Sequence, residues 1–233
     1  LGKRMPGNNL LTAGDGDLGV DRGSLTNVAP ERGVADGGWG WAASFGDLDS
    51  DGTLDLIHAT QPVVTFDHAA PEYPSPMVWL GHDDGFVRQN ATGVGLAPQN
   101  GRGLAGLDYQ VDGARDVLIG TYGGPATLYR NDAGQGHSLQ VLVGTLPGDH
   151  TAVGATVAVT TGDGTQRRVS ASRADYQSQD TRVLHFGVGD ATTVETVTVT
   201  WPDGTELVLE DVAVDQRVRV TPDGVDDRIN YGE

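Results

Sequence analysis

The chain has 233 residues, with 15 basic side chains against 32 acidic ones, a formal net charge of −17, and no cysteine. That balance excludes a nucleic-acid binder, which needs a basic face, and argues against docking on anionic lipid. No apolar run approaches the ~18 residues of a membrane span, so no membrane insertion is expected, and without cysteine no disulfide can staple the fold.

Thirty-five glycines and an apolar content of 37% suit many short strands joined by glycine-rich turns. The length allows one large or two modest all-β domains. Lys3 is the only lysine, and aspartate greatly outnumbers glutamate. This surface chemistry is similar to that of halophilic proteins, in which salt screens self-repulsion; an ordinary acidic secreted protein is the alternative.

In chain order, residues 1–36 are rich in Gly, Asn and Asp. Residues 14–19 formally match G-x-G-x-x-G, but Asp15 and Asp17 would repel a pyrophosphate, and neither a strand before nor a helix after is indicated. Residues 37–60 carry Trp39, Trp41 and the most informative stretch, Asp47-Leu48-Asp49-Ser50-Asp51-Gly52-Thr53-Leu54-Asp55. Acids occupy its positions 1, 3, 5 and 9, and glycine its position 6. Two unit charges 4 Å apart repel by ~4 kcal/mol at an effective dielectric near 20, so carboxylates converging on one point need a cation among them. Calcium, a hard ion taking 6–8 oxygen ligands, fits this set. Asp47, Asp49, Asp51 and Asp55 would supply carboxylates, Thr53 its carbonyl, and Gly52 the sharp turn. Position 12 is His58, which rules out an EF-hand loop.

Residues 61–76 form a proline-rich insertion carrying His68, Glu72 and Tyr73. A short strand at 77–80 leads through a hairpin turn at 82–86, and Asn90-Ala91-Thr92 is a glycosylation triplet. The acidic template then returns 61 residues after its first appearance, as Asp108-Tyr109-Gln110-Val111-Asp112-Gly113-Ala114-Arg115-Asp116. Its ligand set would be Asp108, Gln110, Asp112, the Ala114 carbonyl and Asp116. Gln110 replaces an acid and Arg115 adds a positive charge, so this loop is either a weaker calcium site or a structural turn. Gly134-Gln135-Gly136 is a linker, and beyond it the rhythm changes. Leu139, Val141 and Val143 alternate, as do Val153, Ala155, Val157 and Val159, and strands recur up to Val220. That spacing suits a sandwich or small barrel.

Phe45-Gly46 followed by D-x-D-x-D-G-x-x-D and an apolar strand resembles the FG-GAP (VCBS-type) repeats of integrin-like β-propellers. Asn8 to Leu11 and the run from Gly123 to Asp132 resemble starts of further repeats. The C-terminal segment resembles the ASPIC/UnbV domain through Val153-Gly154-Ala155, Tyr176-Gln177-Ser178-Gln179, Leu184-His185-Phe186-Gly187-Val188-Gly189 and Val199-Thr200-Trp201-Pro202-Asp203-Gly204. Asp175 stands where that pattern usually has glycine. Together the halves resemble the cartilage acidic protein family. The resemblance implies partial β-propeller-like repeats over residues 1–133, a small β-sandwich or barrel over 137–220 and an acidic tail at 221–233.

No nucleophile elbow, H-E-x-x-H motif or P-loop is present. The six histidines, at 58, 68, 82, 137, 150 and 185, show no metal-ligand spacing, and His185 reads as a structural histidine. The expectation is a non-catalytic, calcium-binding extracellular or cell-surface module for a protein or glycan ligand. A carbohydrate-directed enzyme, or an accessory domain of one, is the alternative. Two repeats cannot close a propeller of 4–8 blades. Either the second domain covers the open edge, or subunits complete one another as an oligomer, or upstream blades are missing, as the absent initiator methionine suggests.

Overall fold

The computed structural model describes residues 12–13, 26–61, 76–132, 136–144, 152–171 and 176–232. The glycine motif at 14–19, the proline-rich segment with His68, Glu72 and Tyr73, His150, Asp175, and linker residues Gly134 and Gln135 lie outside them. Among the described residues the chain is all-β, with seventeen strands and no helix, and no helix long and apolar enough to cross a membrane.

A two-residue pair, β1 (Thr12–Ala13) with β2 (Thr26–Asn27), precedes the first main sheet. That sheet is an antiparallel meander of β3 (Trp39–Gly46), β4 (Asp55–Gln61), β5 (Met77–His82) and β6 (Gly85–Arg88). A second meander follows, of β7 (Gly101–Leu107), β8 (Asp116–Thr121) and β9 (Thr127–Tyr129). The sequence repeat is also a structural one. The β3–β4 pair is bulged between Gly40 and Ala42, and the β7–β8 pair between Gly101 and Gly103, at the same offset of 61 residues as the acidic loops.

β4 is buried along its whole length because it is covered on both faces. Ile57 and Ala59 point into a cluster with Val78, Leu104, Val117 and Ile119, which joins the two meanders. On the other face, Leu56 packs with Trp79, Ala29 and Val34. Strand periodicity divides these residues between the two clusters.

The C-terminal part is built from eight strands: β10 (His137–Val143), β11 (Thr156–Thr161), β12 (Gly164–Val169), β13 (Val183–Gly189), β14 (Thr193–Thr200), β15 (Glu206–Ala213), β16 (Gln216–Thr221) and β17 (Gly224–Asn230). They form two four-stranded sheets, β13-β10-β16-β17 and β12-β11-β14-β15. One hydrophobic core lies between them, containing Leu139, Val141, Val157, Val159, Phe186, Val197, Val199 and Val218. Each fully buried Val, Leu or Phe contributes about 1.5–3 kcal/mol. The sheets face each other as a sandwich and no closed barrel forms among the described residues. β10 pairs antiparallel with β13 and parallel with β16. Trp201 follows β14, is buried, and donates its indole N–H to the Gly144 carbonyl at 3.1 Å.

Two local differences from the sequence pattern have clear causes. Val153 continues an alternation with Ala155 and Val157, yet it is exposed, because it sits in the turn before β11. Residues 221–233, read as an acidic tail, include β17, which pairs antiparallel with β16 from Gln216–Asn230 to Thr221–Gly224. Outward-facing charge at Asp226, Asp227 and Arg228 conceals the strand, as expected of a sheet edge.

The two halves are fastened through residues 178–181, just before β13. The Ser178 hydroxyl accepts the Leu104 N–H at 2.7 Å, Asp180 Oδ1 accepts the Gly106 N–H at 2.7 Å, and Thr181 N–H donates to the Gly106 carbonyl at 3.4 Å. The segment therefore runs along the free side of β7 and satisfies backbone groups that would otherwise form an open edge. Asp180 Oδ2 also accepts from Ser44 on β3, at 3.0 Å.

Candidate metal centre

The first acidic loop connects β3 to β4, and its acids serve first as turn-formers. Asp47 Oδ2 accepts the Gly52 N–H at 2.9 Å, Asp51 Oδ1 the Thr53 N–H at 2.7 Å, and Asp55 Oδ2 the Leu48 N–H at 2.6 Å. Asp55 Oδ1 reaches across to the Gly81 N–H at 2.8 Å. Gly52 adopts φ 94 and Ser50 φ 62 to curl the chain around the carboxylates.

This wrapping brings one oxygen from each of Asp47, Asp49 and Asp55 within 4.8 Å of one another. Asp47 and Asp55 are each only 1% exposed. Asp47 Oδ1 and Asp49 Oδ1 are buried and accept no hydrogen bond, and an orphaned buried polar atom costs about 1–3 kcal/mol, more if charged. Burial, reinforced by the neighbouring carboxylates, pushes Asp47 up to about 7 and Asp55 up to about 6, and it raises Asp49 as well. The residues fit a hard divalent cation: the donors are all oxygen, two of them lack any protein partner, and with the acids ionised a cation among them relieves their mutual repulsion. Of the five residues expected here, the structure brings Asp47, Asp49 and Asp55 together. Asp51 is exposed, with Oδ1 turned to the Thr53 amide, and Thr53 is half-buried beside it.

The second loop repeats the scaffold bond for bond. Gly113 N–H donates to Asp108 Oδ2 at 3.0 Å, Ala114 N–H to Asp112 Oδ1 at 3.0 Å, and Tyr109 N–H to Asp116 Oδ2 at 3.0 Å. Val111 and Gly113 take φ 58 and 88, matching Ser50 and Gly52. The cation differs. Asp108 Oδ2 accepts Gln140 Nε2 at 2.6 Å and lies 3.7 Å from Arg217 Nη2, while its Oδ1 accepts the Asp112 N–H at 3.2 Å. Arg217 Nε in turn donates to Gln140 Oε1 at 2.7 Å. Asp116 is wholly buried, and its second oxygen accepts the Asn131 N–H at 2.8 Å. Gln110 and Asp112 are exposed, and Ala114 is half-buried. Among the described residues, the first loop supplies the one group of three potential metal ligands. In the second, an arginine of the sandwich lies beside the lead carboxylate.

Both loops sit against the β13-β10-β16 sheet. The Ser50 carbonyl accepts the Gly189 N–H at 2.9 Å, and the Gly113 carbonyl accepts from Ser138 Oγ at 3.0 Å and lies 2.9 Å from His185 Nε2. The approach at Gly187 leaves no room for a side chain, since a Cβ there would lie 2.0 Å from Asp47 Oδ2 and 2.6 Å from the Ser50 Cα. His185 is buried and its pKa is lowered to about 4 by desolvation, so it is a neutral donor to that carbonyl, consistent with a structural role. His58 is buried and lowered to about 4 for the same reason.

Sequence reasoning missed the partner of Arg115. This side chain leaves its loop, runs against Gly46 and Gly106, and pairs with Asp180 at 3.0 Å, both being about 15% exposed or less. Asp180 directly follows the Tyr176-Gln177-Ser178-Gln179 motif, and that adjacency was the one available signal.

An all-β chain with two equivalent acidic hairpins fastened to a β-sandwich is thus defined. The family described as ASPIC and UnbV matches residues 145–226, so the C-terminal domain is of ASPIC/UnbV type. No curated protein matches the chain.

Proposed function

We propose that the protein is a calcium-binding, extracellular, non-catalytic module that presents a surface to a protein or glycan ligand, and that its N-terminal half consists of FG-GAP/VCBS-type repeats. The carrying observation is the convergence of Asp47, Asp49 and Asp55 with two buried, unpartnered carboxylate oxygens. Such a group is unstable alone and stable around a hard cation. The bound ion would supply positive charge to the loop; the chain's residues hold the turn, exclude water and seat it on the sandwich. Millimolar extracellular calcium suits a site with only three converging acids.

The repeat reading is supported by the identical hydrogen-bond scaffold of the two loops and by the matching bulges of β3–β4 and β7–β8. Coverage of β7 by residues 178–181 supports the view that the second domain closes the open edge of two repeats. The decisive experiment is calorimetric titration of chelator-treated protein with calcium, alongside the Asp47→Asn and Asp49→Asn variants. Stoichiometric binding that both variants abolish supports the proposal, and the absence of any heat of binding overturns it.

A further inference from the structure

Three aromatic rings, two of them exposed, gather around one arginine. Trp41 comes from β3, Arg102 from β7, Tyr122 from the turn after β8, and Tyr176 from the start of the fastening segment. The Trp41 and Tyr176 ring centroids are 4.9 Å apart. The Arg102 guanidinium carbon lies 4.2 Å from the Trp41 centroid and 5.0 Å from that of Tyr122. Tyr122 is 70% exposed and Tyr176 52%.

Packing accounts for only part of this cluster. Trp41 against Tyr176 helps dock the two halves, but Tyr122 buries little of its ring. Arg102 has no carboxylate partner among the described residues; its Nη1 donates to Asn100 Oδ1 at 3.1 Å. Arg88, Arg115, Arg130, Arg217 and Arg219 lie beside aspartates, whereas Arg102 is held between two rings. Rings and Asn100 hold the Arg102 fork in place, so little rotamer freedom remains to be lost on binding.

We propose that Trp41, Arg102, Tyr122 and Tyr176 form a platform for an acidic sugar residue, a pyranose carrying a carboxylate. The C–H face of the sugar lies on an exposed phenol ring, its carboxylate takes the Arg102 fork, and its hydroxyls meet Asn100 and the tyrosine hydroxyls. Charge complementarity selects an anion, and exposed rings select a ligand with a flat apolar face. The cluster has the dimensions of one ring and one charge, whereas a stable protein interface needs about 800 Å² on each partner. This assignment rests on the binding-module reading but not on the metal centre.

The test uses the full chain in calcium at fixed ionic strength, with affinity electrophoresis against a glucuronate-containing oligosaccharide, neutral dextran and poly-glutamate. The expected result is retardation by the glucuronate oligosaccharide alone. Arg102→Ala should weaken it about tenfold, as loss of a hydrogen bond to a charged group implies, with Arg102→Lys recovering part and Tyr122→Ala weaker than wild type. Both positions are on the surface, so an unchanged melting temperature verifies that the variants fold. Retardation by dextran equal to that by the acidic sugar, indifference to Arg102→Ala, or no retardation at all overturns the assignment. Equal retardation by poly-glutamate overturns it too, in favour of an acidic protein partner. Loss of calcium binding in Asp47→Asn with sugar binding intact separates this site from the metal centre.

Discussion

Removing calcium should destabilise the protein, and by an amount that depends on pH in a specified direction. Asp47 is held ionised only against burial, which raises its pKa from 3.8 to about 7. At 1.36 kcal/mol per unit, ionising it in the metal-free fold costs at most about 4 kcal/mol. A carboxylate whose folded pKa is raised contributes stability that is fully present below the unfolded pKa and is lost as pH rises through the folded value. Metal-free protein should therefore weaken between about pH 4 and about pH 7 on account of Asp47 and Asp55. His58 and His185, lowered to about 4, work in the opposite sense: their stability is present above 6.5 and is lost as pH falls toward 4. Those terms are common to both states, so the difference between calcium and chelator isolates the acids. Calcium at a hundredfold excess over its Kd adds about 2.7 kcal/mol, or about 5–10 °C in Tm for a chain of this size. Scanning calorimetry with and without calcium should show that increment growing from about pH 5 to about pH 8, as ligand deprotonation becomes easier. An increment that is absent, or the same at both ends, would refute the reasoning.

Asp49→Ala with Asp51→Ala should remove most of the calcium-dependent Tm gain, while Asp108→Ala with Asp112→Ala should remove much less of it; thermal scans showing equal losses would contradict the ranking of the loops. Gly187→Ala should cost about 1–3 kcal/mol through overpacking against Asp47 and Ser50, read as a lower urea midpoint together with a smaller calcium response. Asp180→Ala should cost about 3–5 kcal/mol, since it leaves the largely buried Arg115 without a counter-charge and deprives the Gly106 N–H of its acceptor; a urea midpoint within error of wild type would show that the pair does not fasten the halves.

The parts of the structure that were legible in the sequence are those encoded locally. Spacing alone marked Asp47, Asp49, Asp51, Thr53 and Asp55 as ligands, and the nine-residue turn brings Asp47, Asp49 and Asp55 of that set together. The 61-residue repeat was equally plain, since both hairpins need glycine where φ is positive. Tertiary neighbours were not legible. Nothing in residues 108–116 reveals that Gln140 and Arg217 meet Asp108, because that meeting depends on how one domain lands on the other. Arg115 looked like a defect in a metal loop, whereas its long side chain serves a different contact altogether. The aromatic cluster was hidden for the same reason, its four members coming from four separate segments.

The parallel pairing of β10 with β16 orders events in time. As the polypeptide emerges from the ribosome, Asp108 appears long before Arg217, and the surface on which both hairpins rest lacks its inner strand until β16 arrives. On the calcium-binding reading proposed above, affinity for the ion would mature only when the sandwich closes, leaving half-made copies unlocked and securing the finished ones.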